Sequence, residues 1–578
     1  MLIKLKSVAV ILSRKNSRGR LRRKLVVNRD GTFPKVLTCL LAAVAGAAAF
    51  VPAAGCSSAK PQPPATLQHI SAHDPSAIRA GDTYYLLGSH TASAKSKDLM
   101  SWTQMSRDYE KTADEPFFGN LAVNLKDSFR WAGYHDGDAA NFAVWAPDAV
   151  YNKEYRWPDG STGAYLLYYC TSSTWRRSCI GYLISKTMEG KFQYADTIVY
   201  SGFTKTGDPD GNSTRNTRWD NDYLNLKKLI AKTSQNGGID SIEDDKCFNP
   251  DGSWNHRYAP NAIDPTVFFD ASGEKMYMVY GSWSGGLFVL EMDSSTGEPK
   301  YPGVDSKDAA SGNFTDRYFG THIAGGNHQS GEGPFIQYDH ESGYYYLYES
   351  YGGLTATGGY NMRLFRSKNV FGPYLDAAGR NSAENGSDNS RYGIKLMGNY
   401  QFGGQQGKRS AGGNSVLIDN DGARYLVYHQ RFNSQPPDEY HEVRIHQQFL
   451  NSEDWPVTAV YEYRGEKISH YGNNDAIGTY EFINHGTEAK SGSMLKTKQV
   501  TLNANGTVSG DVTGTWTKTD SKKGYDDVTL KLGKTTYHGV FFRQYDEGKI
   551  PRQKMTFTAI GSDNTSIWGS KTEAASKQ

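Results

Sequence analysis

The chain has 578 residues, a length that predicts two or more domains, and its 38% hydrophobic and 22% charged residues exclude a disordered or fibrous protein. Of its 64 basic and 61 acidic residues, 11 basic residues but only one acidic residue lie in positions 1–55. The rest of the chain therefore carries 53 basic against 60 acidic residues, and this mild acidity argues against nucleic-acid binding.

The first 55 residues are typical of a secretory signal. A basic stretch precedes an apolar run over residues 36–54, and Gly55-Cys56 follows. Ala53-Ala54-Gly55-Cys56 resembles a bacterial lipobox, although Ala53 stands where leucine is usual. We predict a lipoprotein-type signal over residues 1–55, a membrane anchor through a lipid on Cys56 and a proline-containing tether over residues 56–66. A plain cleavable signal and an uncleaved membrane helix are the alternatives.

A five-fold repeat dominates the next 400 residues. Each repeat has a short apolar strand that starts at a polar or acidic anchor, and a tyrosine-rich strand follows it. The second strands are predicted at residues 83–87, 164–169, 276–280, 344–348 and 424–428. Radially repeated units of this kind predict an all-β fold, a five-bladed β-propeller over residues 67–465. The first strand of each blade then lines the central channel, and the anchors converge at one end of it.

Two smaller features belong to this region. An insertion over residues 201–260 contains one short helix candidate at residues 223–232. Cys170 ends one strand-like run and Cys179 begins the next, so a hairpin could bring the two thiols together. The sequence does not decide whether a disulfide joins them.

The anchors carry the residues that point to chemistry. Asp74, Asp264 and Glu332 are predicted to stand at one register, and Asp148 lies close to it. Acidic side chains around one axis repel one another and raise pKa values. Glycoside hydrolysis needs one carboxylate that activates water and one carboxylic acid that protonates the leaving oxygen. An Asp-Pro pair is also an ordinary turn starter, but turn formation gives no reason for three anchors to be acidic.

Five motifs, in this order, resemble glycoside hydrolase family 43, and within it the extracellular endo-1,5-α-L-arabinanases with an added C-terminal β domain. They are HDPS at residues 73–76, WAPD at 145–148, AIDP at 262–265, GEGP at 331–334 and YHQR at 428–431. The resemblance implies an inverting mechanism in which Asp74 is the general base and Glu332 the general acid. It implies that Asp264 raises the pKa of the acid and orients it. It also implies that His429 lies on the channel axis beside a metal ion, usually calcium, that is held mainly through waters.

Four more residues are assigned to substrate binding. Trp145 and Trp283 stand at strand ends near the channel mouth, where they would stack on sugar rings, with core packing as the alternative. Asp148 lies near the acidic register. His328 belongs to a glycine-rich segment before Glu332 and is expected to face the cleft.

Beyond residue 465 the anchors stop, but strand-like runs continue. Eight runs are predicted between residues 478 and 568, and Asn505-Gly506 is a hairpin signal. We predict a small antiparallel β-barrel or sandwich over residues 466–578. The sequence leaves open whether this domain binds polysaccharide or packs against the propeller and shapes the cleft.

These observations predict a secreted, lipid-anchored and monomeric hydrolase of α-1,5-linked arabinan or arabino-oligosaccharides, with one calcium ion on the propeller axis. An exo-acting arabinofuranosidase or xylosidase of the same fold is one alternative. A non-catalytic carbohydrate-binding propeller is another, although it needs no acid–base pair. Endo and exo action differ in whether the loops leave an open groove or a closed pocket, which the sequence does not show.

Overall fold

A computed structural model describes residues 64–107, 112–133, 143–173, 177–204, 246–384, 386, 388–521 and 523–572. The predicted signal, Cys56 and the helix candidate at residues 223–232 lie outside these ranges. None of the helices within them is long and apolar enough to cross a membrane. The α-helices in the described ranges are short and lie at Leu121–Asn124, Lys126–Ala132 and Asn473–Ala476. Single 3-10 turns lie at Ser89–Thr91 and Ser382–Glu384.

Five antiparallel sheets form the blades of a propeller. Blade 1 has β1 (Ser76–Ala80), β2 (Thr83–Leu87), β3 (Ser93–Ser96) and β4 (Trp102–Ser106). Blade 2 has β5 (Val144–Arg156), β6 (Thr162–Ser173), β7 (Arg177–Ser185) and β8 (Gln193–Ser201). Blade 3 begins with β9 (Thr266–Phe269), β10 (Met276–Tyr280) and β11 (Leu287–Met292).

The outer part of blade 3 departs from the four-stranded plan. Two strands, β12 (Ser306–Lys307) and β13 (Phe314–Asp316), extend the sheet beyond its fourth strand, β14 (Gly320–Ala324). Blade 4 has β15 (Glu332–Asp339), β16 (Tyr344–Tyr351), β17 (Asn361–Ser367) and β18 (Ile394–Lys395). Blade 5 has β19 (Lys408–Ile418), β20 (Arg424–Phe432), β21 (His441–Leu450) and β22 (Pro456–Thr458).

The blades close into a ring around their first strands. Each first strand contacts the first strand of the next blade, and β19 of blade 5 contacts β1 of blade 1. Apolar cores fill the spaces between neighbouring blades, as where Leu86 and Trp102 of blade 1 pack with Val427 and Ile445 of blade 5. Each blade thus depends on its neighbours for burial of its faces. The predicted five-bladed propeller is confirmed.

Cys170 and Cys179 lie on the paired strands β6 and β7, as the hairpin expectation required. They are one residue out of register, because Cys170 faces Ile180 while Cys179 faces Thr171. Both side chains are buried, and no disulfide joins them.

The C-terminal strands form a closed eight-stranded barrel, which decides between the predicted barrel and sandwich. The strands are β23 (Gly478–Asn484), β24 (Lys498–Leu502), β25 (Thr507–Gly510), β26 (Gly514–Asp520), β27 (Asp526–Leu532), β28 (Thr535–Tyr545), β29 (Gln553–Gly561) and β30 (Ser566–Lys571). Asn505-Gly506 turns the chain between β24 and β25, and Gly506 has a φ of 80°. The predicted boundary at residue 465 falls in the segment that connects β22 and β23.

The barrel packs against blades 4 and 5 through a shared core and a buried ion network. Ile483, Phe542 and Trp568 of the barrel join the apolar cluster of those blades. Glu547, in the loop after β28, lies 2.6 Å from Lys408 Nζ and 3.7 Å from Arg444 Nη1, and all three side chains are less than one tenth exposed. The propeller and the barrel are therefore joined by both apolar and ionic contacts.

We expect Glu547→Ala to lower the free energy of unfolding by about 3–5 kcal/mol, because it leaves the buried charges of Lys408 and Arg444 without this carboxylate. Denaturant unfolding measures the loss. The matched control is Glu291→Ala, which removes an exposed ion pair with Lys300 and should cost no more than about 1 kcal/mol. An equal loss of unfolding free energy in the two variants would contradict a stabilising role of the buried network.

Candidate active site

A backbone bend near the start of each first strand organises the channel mouth. One residue per blade has a left-handed φ there: Asp74 (48°), Ala146 (39°), Asp264 (54°), Gly333 (56°) and Gly413 (56°). Side-chain-bearing residues rarely adopt this conformation. In blades 2, 4 and 5 the strand pairing skips a register at the bend, as a β-bulge does. Strain of this kind at two acidic residues is typical of a functional site.

The bend shows that the acidic anchors do not all share one register. Asp74 and Asp264 occupy the bend itself, whereas Glu332 precedes the bend of its blade by one residue, at Gly333. Asp148 follows the bend of blade 2, at Ala146, by two residues. The prediction of a common register is therefore wrong for Glu332. Its carboxyl reaches the same cavity because the bulge changes the direction in which the side chain points.

Asp148 lies in the wall of the channel rather than in the cavity. Its Oδ1 accepts a hydrogen bond from Ser76 Oγ at 2.5 Å, and its Oδ2 accepts one from the backbone N–H of Val267 at 2.8 Å. These contacts join blade 2 to blades 1 and 3. Burial raises the pKa of Asp148 to about 6. The expected substrate contact is corrected, because Asp148 is 4% exposed and both carboxyl oxygens already bind the protein.

One cavity of about 360 Å³ brings the three predicted catalytic residues together. Asp74, Asp264 and Glu332 all line it, and so does the predicted sugar-stacking residue Trp145. Its remaining walls include side chains from blades 1, 4 and 5 and the loops near them: His73, Ser89, His90, Leu354, Tyr360, Arg431, Glu439 and His441.

Asp74 is held as an ionised carboxylate. Its Oδ2 lies 2.9 Å from His73 Nδ1 and accepts a hydrogen bond from Ser89 Oγ at 2.6 Å. Ser89 is itself fixed, because its Oγ accepts from the backbone N–H of Ala146 at 2.8 Å. Burial raises the pKa of Asp74, but the charge of His73 and the hydrogen bonds from His73 and Ser89 together lower it below the usual value. A carboxylate in this state can accept a proton from water.

The surroundings of Glu332 shift its pKa in the opposite direction. Its Oε1 accepts a hydrogen bond from Tyr360 OH at 2.8 Å, and its Oε2 accepts one from Trp283 Nε1 at 2.7 Å. Burial, and after it the negative charge of Asp74, raises the pKa of Glu332 in spite of these hydrogen bonds. Two carboxyls in one cavity whose pKa values are shifted in opposite directions are suited to act as base and acid.

Asp264 contacts the strand that carries Glu332. Its Oδ2 accepts a hydrogen bond from the backbone N–H of Gly333 at 3.1 Å. Burial and the charges of Asp74 and Glu332 raise its pKa well above the usual value. The negative charge that raises the pKa of Glu332 is that of Asp74, and a contribution from Asp264 stays a prediction. The geometry thus allows the orienting role that the resemblance implies.

Tyr360 is a site residue that the sequence analysis missed. It precedes β17, is 2% exposed and stacks on His429 with ring centroids 5.6 Å apart. A Cβ at Gly412 would lie 2.2 Å from the Tyr360 ring, and one at Gly413 would lie 2.4 Å from Asp74 Oδ1. The Gly412-Gly413 pair ahead of the fifth apolar strand was the signal that other side chains occupy this space.

We expect Tyr360→Phe to move the alkaline limb of the kcat/KM profile to higher pH and to lower the maximal rate. In the parent, the hydrogen bond from Tyr360 lowers the pKa of Glu332. Its removal raises that pKa, so the acid stays protonated at higher pH. The pH profile on the preferred substrate measures the shift. Tyr351→Phe is the matched control, because the Tyr351 hydroxyl donates to Glu349, which does not line the cavity. A shift toward lower pH would contradict the assignment.

His429 lies behind the catalytic cavity and is fully buried. Its ring stacks on His73 at 3.9 Å, and its Nδ1 lies 3.3 Å from the backbone nitrogen of Asp74. Burial lowers the pKa of His429 well below the usual value, so the imidazole is neutral. His429 Nε2 and both amide atoms of Asn414 are buried and have no hydrogen-bond partner within the described residues. Such groups favour water or a hydrated cation in the channel.

The other two residues assigned to substrate binding lie beside this cavity. Trp283 and His328 line a neighbouring groove, with ring centroids 5.9 Å apart. Trp283 connects the two spaces, because its indole N–H binds Glu332 while its ring lines the groove.

Comparison with known proteins agrees with the division into a propeller and a C-terminal barrel. Residues 223–456 match glycosyl hydrolases family 43, and residues 460–569 match a C-terminal lipocalin-like domain of that family. The chain is 36% identical over 520 residues to extracellular endo-alpha-(1->5)-L-arabinanase 2 of Bacillus subtilis (strain 168), covering 87% of this chain and 93% of that protein.

Two crystal structures are similar over the whole length of their chains. The family 43 glycoside hydrolase YxiA from Bacillus licheniformis is 35% identical, with a TM-score of 0.69 over 88% of this chain and 100% of that chain. The endo-1,5-alpha-L-arabinanase from Thermotoga petrophila RKU-1 is 32% identical, with a TM-score of 0.70 and the same coverage. With its five-bladed propeller, its C-terminal barrel and this coverage of its relatives, the chain belongs to glycoside hydrolase family 43.

Proposed function

We propose that this protein hydrolyses α-1,5-linked L-arabinofuranosyl bonds within linear arabinan, with inversion at the anomeric carbon. The observation that carries the proposal is the pair of cavity carboxyls, Asp74 with a lowered pKa and Glu332 with a raised one. The arabinanase names of the relatives support the substrate. A non-catalytic sugar-binding propeller has no need for such a pair.

The proposed reaction has two proton transfers, one from the attacking water and one to the leaving oxygen. Asp74 takes a proton from the water that attacks the anomeric carbon, and Glu332 donates its proton to the departing glycosidic oxygen. Trp283 and Tyr360 hold the two oxygens of Glu332 in place. Asp264 orients the adjoining backbone through Gly333.

Product analysis on debranched linear arabinan tests this function. Endo action gives short oligomers of several lengths early in the reaction, whereas an exo-acting enzyme releases one small product from the start. Proton NMR of the first products should show the β-anomer, because an inverting enzyme converts the α-linkage to it. An α-anomer formed first, or the absence of cleavage, would contradict the proposal.

We further propose a calcium ion on the propeller axis. The buried Nε2 of His429 and the side-chain oxygen of Asn414 have no hydrogen-bond partner within the described residues, and waters that surround a cation would supply partners for them. Bound there, calcium would supply positive charge that partly offsets repulsion among the cavity acids. Metal analysis of the purified protein and its melting temperature with and without exhaustive chelation test the site. An unchanged melting temperature and no stoichiometric metal would overturn it.

We also propose that the protein is exported and tethered to the membrane through a lipid on Cys56. The supporting observation is the small-residue and cysteine pattern after the apolar run of residues 36–54. Absence of labelled fatty acid from the parent protein, or its continued incorporation into a Cys56→Ala variant, would contradict the anchor. The expected monomer remains a proposal, which sedimentation of the protein without its first 55 residues tests.

A further inference from the structure

The groove beside Trp283 has walls from both parts of the protein. On the propeller side it is lined by Trp283, His328 and Gln329. Residues 487–490, from the segment that connects β23 and β24, line the barrel side. Across the groove, Lys490 Nζ lies 5.3 Å from the centre of the Trp283 ring.

The barrel segment is held rigidly against blade 4 by its backbone. Arg363, which is completely buried, donates from Nη2 to the carbonyl oxygens of Thr487 and Glu488 at 2.8 and 2.9 Å. Asn361 Nδ2 donates to the carbonyl oxygen of Ala489 at 3.0 Å. These bonds occupy backbone atoms and leave the Lys490 side chain exposed at the groove. A wall that is fixed in advance costs little ordering entropy when a ligand binds.

The position of the groove relative to Glu332 indicates which part of the substrate the groove would contact. A general acid lies beside the leaving oxygen, while the attacking water and the base lie on the opposite face of the sugar. Trp283 binds the acid through its indole N–H and lines the groove with the rest of its ring. The groove therefore begins on the acid side of the cavity.

The charges around the groove match a neutral ligand rich in hydroxyl groups. Asp388 and Glu488 line it together with Arg391 and Lys490, so the two signs are balanced. Charged side chains of both signs offer donors and acceptors for hydroxyl groups, and an indole suits the apolar face of a sugar ring. A polyanion would meet two carboxylates here.

We propose that this groove binds the sugar units on the leaving-group side of the cleaved bond, so that the barrel segment 487–490 is part of the substrate-binding surface. This inference rests on the proposed arabinan hydrolysis. It gives the C-terminal barrel a direct role in choosing long chains, because a longer leaving group fills more of the groove.

The test compares substrates with and without sugar on the leaving side. The double variant His328→Ala/Lys490→Ala removes one exposed side chain from each wall. We expect its kcat/KM on linear arabinan to fall at least about fivefold, mainly through KM, as the loss of one or two charged or ring contacts predicts. On a nitrophenyl arabinotrioside, whose leaving group is a phenol, kcat/KM should match the parent.

Lys531→Ala is the matched control, because Lys531 is an exposed barrel lysine outside the groove lining. It should behave as the parent on both substrates, and all variants should share one melting temperature. Equal effects of the double variant on both substrates, or none on either, would overturn the groove assignment while arabinan cleavage by the parent stands. A parent that does not cleave arabinan overturns the proposed function itself, and the groove assignment with it.

Discussion

We expect Glu332→Gln to lower kcat/KM on linear arabinan by about 10²–10⁴-fold, the usual contribution of a general acid. Glutamine keeps the size of the side chain. Its oxygen can accept the hydrogen bond of Trp283, and its NH2 group can donate to the hydroxyl oxygen of Tyr360, but it has no acidic proton to give. The melting temperature should change little, because the substitution removes a carboxyl that burial already disfavours as a charge.

Two comparisons make this result specific. On an aryl arabinoside with an acidic phenol as leaving group, the loss should be much smaller, since such an oxygen departs without a proton. Glu349→Gln neutralises another buried carboxyl of the same blade that lies outside the cavity lining, and it should leave the rate near that of the parent. Activity of Glu332→Gln within about tenfold of the parent on arabinan would reject Glu332 as the acid.

The repeated apolar and tyrosine-rich runs predicted the fold well because the propeller and the barrel are built from local hairpins. Thr83–Leu87 and Met276–Tyr280 are strands with the predicted bounds, since each is an apolar, tyrosine-rich run that ends at a turn. The eight C-terminal runs were predicted for the same reason. Barrel closure depends on the pairing of β23 with β30, whose paired residues are 83 to 91 positions apart, and no local pattern reports this pairing.

The candidate site was harder to predict because bulges and packing fix its details. Alignment of the anchors at the starts of the apolar strands places Glu332 and Asp264 in one register, whereas the bend at Gly333 sets them one residue apart. Asp148 is an acidic residue close to the anchors, as a site residue would be, yet both of its carboxyl oxygens accept hydrogen bonds from the neighbouring Ser76 and Val267. Tyr360 carries no local mark among 38 tyrosines and is recognised only by its contact with Glu332.

Asp74 and Asp148, the two aspartates at or near the channel mouth, should differ in how their substitution affects rate and stability. We expect Asp74→Asn to lower kcat/KM about 10²–10⁴-fold on arabinan and on the aryl arabinoside alike, because water activation is needed whatever the leaving group. Asp148→Asn should keep most of the rate and lower the melting temperature, since an amide in place of the carboxyl loses an acceptor for Ser76 or Val267.

Azide then tests whether the reaction passes through a covalent intermediate. In an inverting enzyme no covalent glycosyl intermediate forms, so any adduct that azide gives with Asp74→Asn must have the inverted configuration. An adduct of retained configuration needs two displacements, so it would mean that a carboxylate other than Asp74 forms a covalent glycosyl intermediate. Such a nucleophile must touch the anomeric carbon, whereas a base must leave room for a water, so a retained adduct would reject Asp74 as the base of an inverting enzyme.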